Sequence, residues 1–246
     1  MEASGKENNI TINGSGSITG GKYGDVRING SGEINGDVEC ASLTINGSGA
    51  VKGALKAGQA AFNGSGTVQG PLQADTVQVH GAASLKGDVT TREIDISGAV
   101  SVHGNVSTEQ AKCAGAFSVS GDFNAEKFEA RGGFKIDGLL NAGEIDICLH
   151  GDCRAREIGG SSISVRLDTR EHWGVGNLFR GLLPNHHHHL VTDSIEGDEI
   201  SLENTQARVV RGKRVTIGPG CDIALVEYTE RYQQDEGAQV TEQRQV

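Results

Sequence analysis

Four consecutive histidines, His186 to His189, are the densest cluster of potentially reactive side chains in this 246-residue chain. Neutral imidazoles ligate zinc, nickel and copper, so this run is the candidate metal site of the sequence. Adjacent side chains have no fixed spacing with which to surround one ion, and the plainer reading is a solvated loop. An internal position argues against a terminal purification tag. His80, His103 and His150 stand apart from one another, where a solvated imidazole is commoner than a general base. Cys148 and Cys153 form a C-x4-C pair with no second pair to complete a tetrahedron. With Cys40, Cys113 and Cys221 they make an odd number, read as reduced thiols acting as small apolar fillers. No Gly-Lys-Ser/Thr phosphate loop occurs. The reading assigns no catalytic residue and no cofactor.

The composition explains why chemistry is sparse. Thirty-seven glycines, three prolines and 4% aromatic residues do not describe an ordinary globular core. The glycines lack the every-third spacing of collagen, and regular Ile, Val and Leu exclude a low-complexity disordered chain. A net charge of −10 offers no cationic footprint for nucleic acid or anionic lipid. No signal-peptide core and no run of eighteen apolar residues is visible, so a cytoplasmic protein is expected, without direct membrane insertion.

A 17-residue repeat supplies the missing architecture. From Val26 the chain reads VRINGSGEINGDVECAS, then LTINGSGAVKGALKAGQ from Leu43 and AAFNGSGTVQGPLQADT from Ala60. Further units start at Val77, Ile94, Ala111, Phe128 and, degraded, at Ile145, and a unit one residue short precedes them from Ile10. Each unit holds three pairs of apolar or small residues spaced by two, such as Leu43/Ile45, Gly49/Val51 and Leu55/Ala57. That is strand periodicity three times per repeat. Gly47 and Gly53 fall between pairs, at corners that need either positive φ or no Cβ beneath the next coil. The expectation is an all-β solenoid of triangular coils, with Ile34, Val51, Val68, Leu85, Val102, Val119 and Ile136 as one inward ladder. Nine units at about 4.8 Å each give a rod of roughly 40 Å. Larger residues at one position in later coils, Val100, Phe117 and Phe134 against Gly32, Gly49 and Gly66, suggest an interior that widens.

The chain divides into a flexible segment over 1–9, a regular β-helix over 10–167, an insertion over 168–189, irregular terminal coils over 190–228 and a polar mobile tail over 229–246. The insertion carries Trp173 and, at helical spacing, Leu178, Phe179, Leu182 and Leu183. Packing on the solenoid is favoured over membrane contact, because Arg180 is its only central cation.

A β-solenoid exposes strand edges and core at each end unless something covers them. The nine residues before Ile10 are too few and too polar for a capping helix, so Ile10, Ile12 and Ile18 are the candidate polymer interface. The NGSGxIxG units at a 17-residue period resemble the bactofilins, bacterial polymer-forming cytoskeletal proteins, and the segment from Ser194 to Tyr228 resembles the C-terminal part of Bacillus-type members. The resemblance implies a right-handed β-helix and non-polar, nucleotide-independent filaments that scaffold cell shape, envelope or motility components. It implies further copies of the chain, a paralogous bactofilin and a cargo protein as partners, in cytoplasmic filaments or foci near the membrane.

Two other classes share parts of this pattern. A hexapeptide-repeat acyltransferase has similar coils, and Val215 to Cys221, VTIGPGC, resembles its repeat, but only once. A sugar-binding or lyase β-helix, or another non-polymerising binding module, would display clustered carboxylates or aromatics on one outer face. The outer positions mix Asn, Ser, Lys, Glu and Thr instead.

Overall fold

Alternating apolar and polar residues, turned at glycine-bearing corners, build one stack of coils in which every strand pairs in parallel with the equivalent strand of the next coil. The computed structural model describes residues 8–168 and 188–246. Among them are twenty strands and no helix, wound into a solenoid of about 13 turns. At about 4.8 Å per coil this is a rod of roughly 60 Å, longer than nine units predict.

The repeat register is the hydrogen-bond register. Val26 pairs with Leu43, Leu43 with Ala60, Ala60 with Val77 and Val77 with Ile94, and the same step of 17 continues through Ala111 and Phe128 to Ile145. The first coil is one residue shorter, with Ile10 on Val26. The Ile34 to Ile136 ladder is fully buried.

Corner chemistry follows from how closely the coils approach. A Cβ on Gly47, Gly64, Gly81, Gly98 or Gly115 would lie about 2 Å from the carbonyl oxygen of the corner glycine one coil earlier. Close approach, and not positive φ, therefore demands glycine in this column. Beside it the asparagines of the NGSG motif form a ladder: Asn29 Nδ2 donates to Asn13 Oδ1 (2.8 Å), Asn46 to Asn29 (2.8 Å) and Asn63 to Asn46 (2.9 Å).

At the second corner a carboxylate or amide of one coil accepts a backbone N–H from the next. Asp37 takes the Ala54 N–H, Asp88 that of Asn105, Asn105 that of Asp122 and Asp122 that of Leu139, at 2.7–2.9 Å. The space for these side chains is what Gly53, Gly104, Gly121 and Gly138 leave empty. Ala54 has no acceptor to offer the following coil, and the residue stacked there is Pro71, which has no N–H to satisfy.

Part of the change in residue size from coil to coil is an exchange across one corner. Phe62 fills the space beside Gly66, where a Cβ would stand 2.1 Å from its ring. Two later coils reverse the order across the same corner, with Cys113 before Phe117 and Ala130 before Phe134. Large and small residues trade places, so the 17-residue coil is kept while the core stays filled. The exchanged phenylalanines stack, Phe117 on Phe134 at 5.4 Å between ring centroids, with Phe123 edge-on to Phe128 at 5.1 Å.

Regularity breaks at the eighth unit. Phe134 pairs with Cys153, a step of 19, and Ile145 with Ile163, a step of 18. Beyond residue 188 the coils shorten: Leu190 pairs with Thr205 and Ile195 with Val210, a step of 15. The coils of 190–228 are irregular as expected but well paired: the step grows to 16 at Gln206 on Asp222 and, past a register shift between Gly212 and Arg214, to 17 at Arg214 on Arg231. The stretch 229–246 is also strand: Asp222–Gln234 runs through its start, and Gln239–Gln245 lies on Asp222–Tyr228. Polarity suggested a tail here, but backbone pairing and ion pairs on the outer face carry the stack where aliphatic burial runs out. Trp173 and the apolar residues 178–183 of the insertion lie outside the described residues.

Candidate assembly surface and side-chain clusters

The first coil ends the aliphatic ladders. Ile10, Ile12 and Ile18 stack on Val26, Ile28 and Ile34, all three of which are fully buried. Ile12 retains 9% exposure, and Ile10 and Ile18 are half-buried against the core. Among the described residues no strand pairs with the outer edge of Ile10–Ile12, whose pairing is to Ser15–Ile28. Asn8 and Asn9 join the ladder, the Asn8 carbonyl accepting from Gly24 N–H and Asn9 Oδ1 from Asp25 N–H. The surface presented is therefore an apolar cross-section rimmed by polar corners.

At the opposite end the inward positions turn polar. Val240 and Gln243 lie over Ile223 and Val226, and Tyr232 and Gln234 lie over Val215 and Ile217. Tyr232 Oη donates to Gln234 Oε1 at 2.7 Å and its ring stacks on Tyr228. Outside, Glu227 is clasped between Arg211 and Arg244, and Arg214 bridges Glu199 and Glu230. The two guanidinium groups hold the Glu227 carboxyl below the usual carboxylate range.

Of the histidine run, His186 and His187 lie outside the described residues. The His189 carbonyl accepts from Cys153 N–H (3.1 Å) and the His188 carbonyl from Asn204 Nδ2 (3.5 Å), so the end of the run is threaded into the strand ladder. His80 and His103 are exposed at corners, and His103 Nε2 sits 3.2 Å from Lys86 Nζ. His150 is not isolated. Its Nε2 lies 2.7 Å from Asp168 Oδ2, and Cys148 completes a group whose ligand atoms are all within 4.8 Å of one another.

The cysteines divide accordingly. Cys40, Cys113, Cys153 and Cys221 belong to the apolar core, as fillers should, and burial pushes the Cys113 thiol far up, Cys153 to about 12 and Cys221 to about 11. Cys148 is buried but outside that core, and burial raises its thiol as well. The C-x4-C spacing forms no joint site, since Cys153 points inward and donates to the Gly132 carbonyl at 3.3 Å.

The VTIGPGC segment forms a corner. Asn204, at φ 45°, and Gly220, at φ 73°, occupy left-handed conformations in successive coils, and a Cβ on Gly220 would meet Asn204 Oδ1 at 2.0 Å. A shallow outer groove over Gly66, Ala83, Val100 and Phe117 has Lys135 and Asp152 as its only charged lining residues, which is no carbohydrate-cleaving arrangement. Among the described residues no helix is long and apolar enough to cross a membrane.

The family model for bactofilins, described as polymer-forming cytoskeletal, matches residues 6–107 and 65–141, together more than half of the chain. The uncharacterized protein YhbF of Bacillus subtilis (strain 168) is 38% identical over 102 residues, 41% of this chain and 39% of that protein. The uncharacterized protein YhbE of the same organism is 42% identical over 90 residues, 37% of this chain and 35% of that protein. The matches thus span about two fifths or less of each relative's own length. No solved structure matches the chain.

Proposed function

The chain belongs to the bactofilin family of polymer-forming cytoskeletal proteins, and on that premise we propose that it is a non-enzymatic scaffold whose rods join end to end into filaments without nucleotide. The observation that carries this reading is the aliphatic ladder that stops at Ile10, Ile12 and Ile18 with no strand described beyond it. Covering that end with another copy would bury the three side chains, each contributing on the order of 1 kcal/mol since they are already half in contact. It would also satisfy the backbone groups of the open edge. Further copies of the chain are the primary partner, with a paralogue and a cargo protein as additional ones. In this reading the filaments lie in the cytoplasm, free or in foci near the membrane, and organise cell shape, envelope or motility components.

Negative-stain electron microscopy of the purified protein at physiological salt, without nucleotide, tests the proposal. Filaments or sheets are the expected result. A strictly monomeric rod at high protein concentration would remove the scaffold reading.

A further inference from the structure

We propose that Cys148, His150 and Asp168 form a binding site for a single divalent transition-metal ion of the zinc type. Three donors of three kinds, a sulfur, an imidazole nitrogen and a carboxylate oxygen, converge with all ligand atoms within 4.8 Å of one another. A tetrahedral zinc ion with Zn–S near 2.3 Å and Zn–N or Zn–O near 2.0–2.2 Å needs donors about 3.3–3.7 Å apart. The pair at 2.7 Å, His150 Nε2 and Asp168 Oδ2, opens by less than about 1 Å when an ion replaces the shared proton. The most distant donors, at up to 4.8 Å, close by at most about 1.5 Å.

The strand geometry gives an independent reason to single out Cys148. Ile145, Ile147 and Leu149 point inward and pair with Ile163, Val165 and Leu167. Cys148 lies between two inward residues, on the outer side, paired with Arg166. It is nonetheless only 7% exposed, and it is the one cysteine that the apolar core does not include. Core filling therefore does not account for it. The neighbouring Arg166 guanidinium is engaged by both carboxylate oxygens of Asp146.

The 18-residue step brings the site together. With Leu149 on Leu167, His150 falls beside Asp168, and a 17-residue coil would have set it beside Leu167 instead. The His150 and Asp168 side chains are 45% and 20% exposed, so solvent reaches a fourth coordination position. A thiolate, an imidazole and a carboxylate together favour zinc or cobalt over the hard, oxygen-seeking magnesium and calcium. A nucleophilic role for the same three residues is less suited to a thiol this inaccessible, because a nucleophile must meet its substrate. Bound metal would clip two successive coils at the corner formed by His150 and Asp168.

The test is a cobalt(II) titration of the reduced, chelator-treated full chain. One equivalent should produce a thiolate-to-cobalt charge-transfer band in the near ultraviolet, displaced by zinc. The band should vanish in Cys148→Ser, need at least about tenfold more cobalt in His150→Gln or Asp168→Asn, and persist when His186–His189 are all replaced by Asn. Circular dichroism checks that each variant keeps its β structure, and His150→Gln changes only an exposed corner should Cys148→Ser fail to fold. No thiolate band in the native chain would overturn the proposal. So would a band that survives Cys148→Ser, or one that requires the histidine run.

Discussion

Replacing Gly98 by Ala should cost the rod about 3 kcal/mol, although alanine is the smallest side chain after glycine. The added Cβ would lie 1.9 Å from the Gly81 carbonyl oxygen, a backbone atom that cannot rotate away. Ordinary contact begins near 3.4 Å, so the two coils must part by the difference, about 1.5 Å, roughly a third of the ~4.8 Å strand spacing. Three hydrogen bonds span that gap: Ser97 N–H and Gly98 N–H to the Val79 carbonyl, at 2.9 and 3.1 Å, and Ala99 N–H to Gly81, at 2.9 Å. At about 1 kcal/mol net for each, their loss gives the figure above, and it rises where the freed groups stay dry. Gly14 is the internal control. It occupies the same column in the first coil, where a Cβ meets nothing within 4 Å, so Gly14→Ala should leave stability unchanged or raise it by up to about 1 kcal/mol. Guanidinium unfolding followed by circular dichroism compares the two variants. Amide exchange should place the Gly98→Ala weakness between the coils at 81 and 98, because solenoid stability is a sum of nearest-neighbour contacts. Equal unfolding midpoints for the two variants would refute the close-packed corner.

Other outcomes follow from the same geometry. Asp122→Ala removes the acceptor for Leu139 N–H beneath Gly138 and should destabilise by about 1 kcal/mol, with Asp122→Asn nearly neutral, as thermal unfolding will measure. Phe117→Ala empties a position stacked on Phe134 and beside the small Cys113, and should cost about 3–5 kcal/mol by denaturant titration. Glu227 is held below the usual carboxylate range by Arg211 and Arg244. Its contribution is therefore complete above the ordinary glutamate value and is lost as pH falls through the depressed folded value. Amide protection factors across Gln239–Gln245, each taken relative to the intrinsic exchange rate at that pH, should fall over that acidic window in the native chain and be low at all pH in Glu227→Gln.

The parts of the fold legible in the sequence are those fixed by a period. The step from Val26 to Leu43 and onward is both a sequence repeat and a hydrogen-bond register, because one coil of backbone must close on the next. Ile10, Ile12 and Ile18 were visible for the same reason, as the first members of their ladders. What escaped reading depends on departures from the period. His150 and Asp168 meet only in an 18-residue coil, and nothing in the local sequence announces the extra residue. Cys148 looked like its four relatives because burial alone does not reveal which side of the strand it occupies. The strand Gln239–Gln245 was hidden by its polarity, since parallel stacking on a preformed edge needs little apolar surface of its own. The exchange between Phe62/Gly66 and Cys113/Phe117 involves two positions four residues apart across a corner, so neither column read alone shows it.

In the proposed assembly, rods associate through the apolar end of the stack. Ile10→Asp places a charge on that surface at a half-buried position, beside a first coil that Val26, Ile28 and Ile34 hold in place. Electron microscopy and sedimentation of native and Ile10→Asp protein, side by side at equal concentration, measure that association directly. Filaments are expected for the native chain and, for the variant, dispersed rods or short paired species that keep the native β-rich circular dichroism. Filaments of undiminished length in Ile10→Asp would contradict that assembly and place the joint elsewhere on the rod.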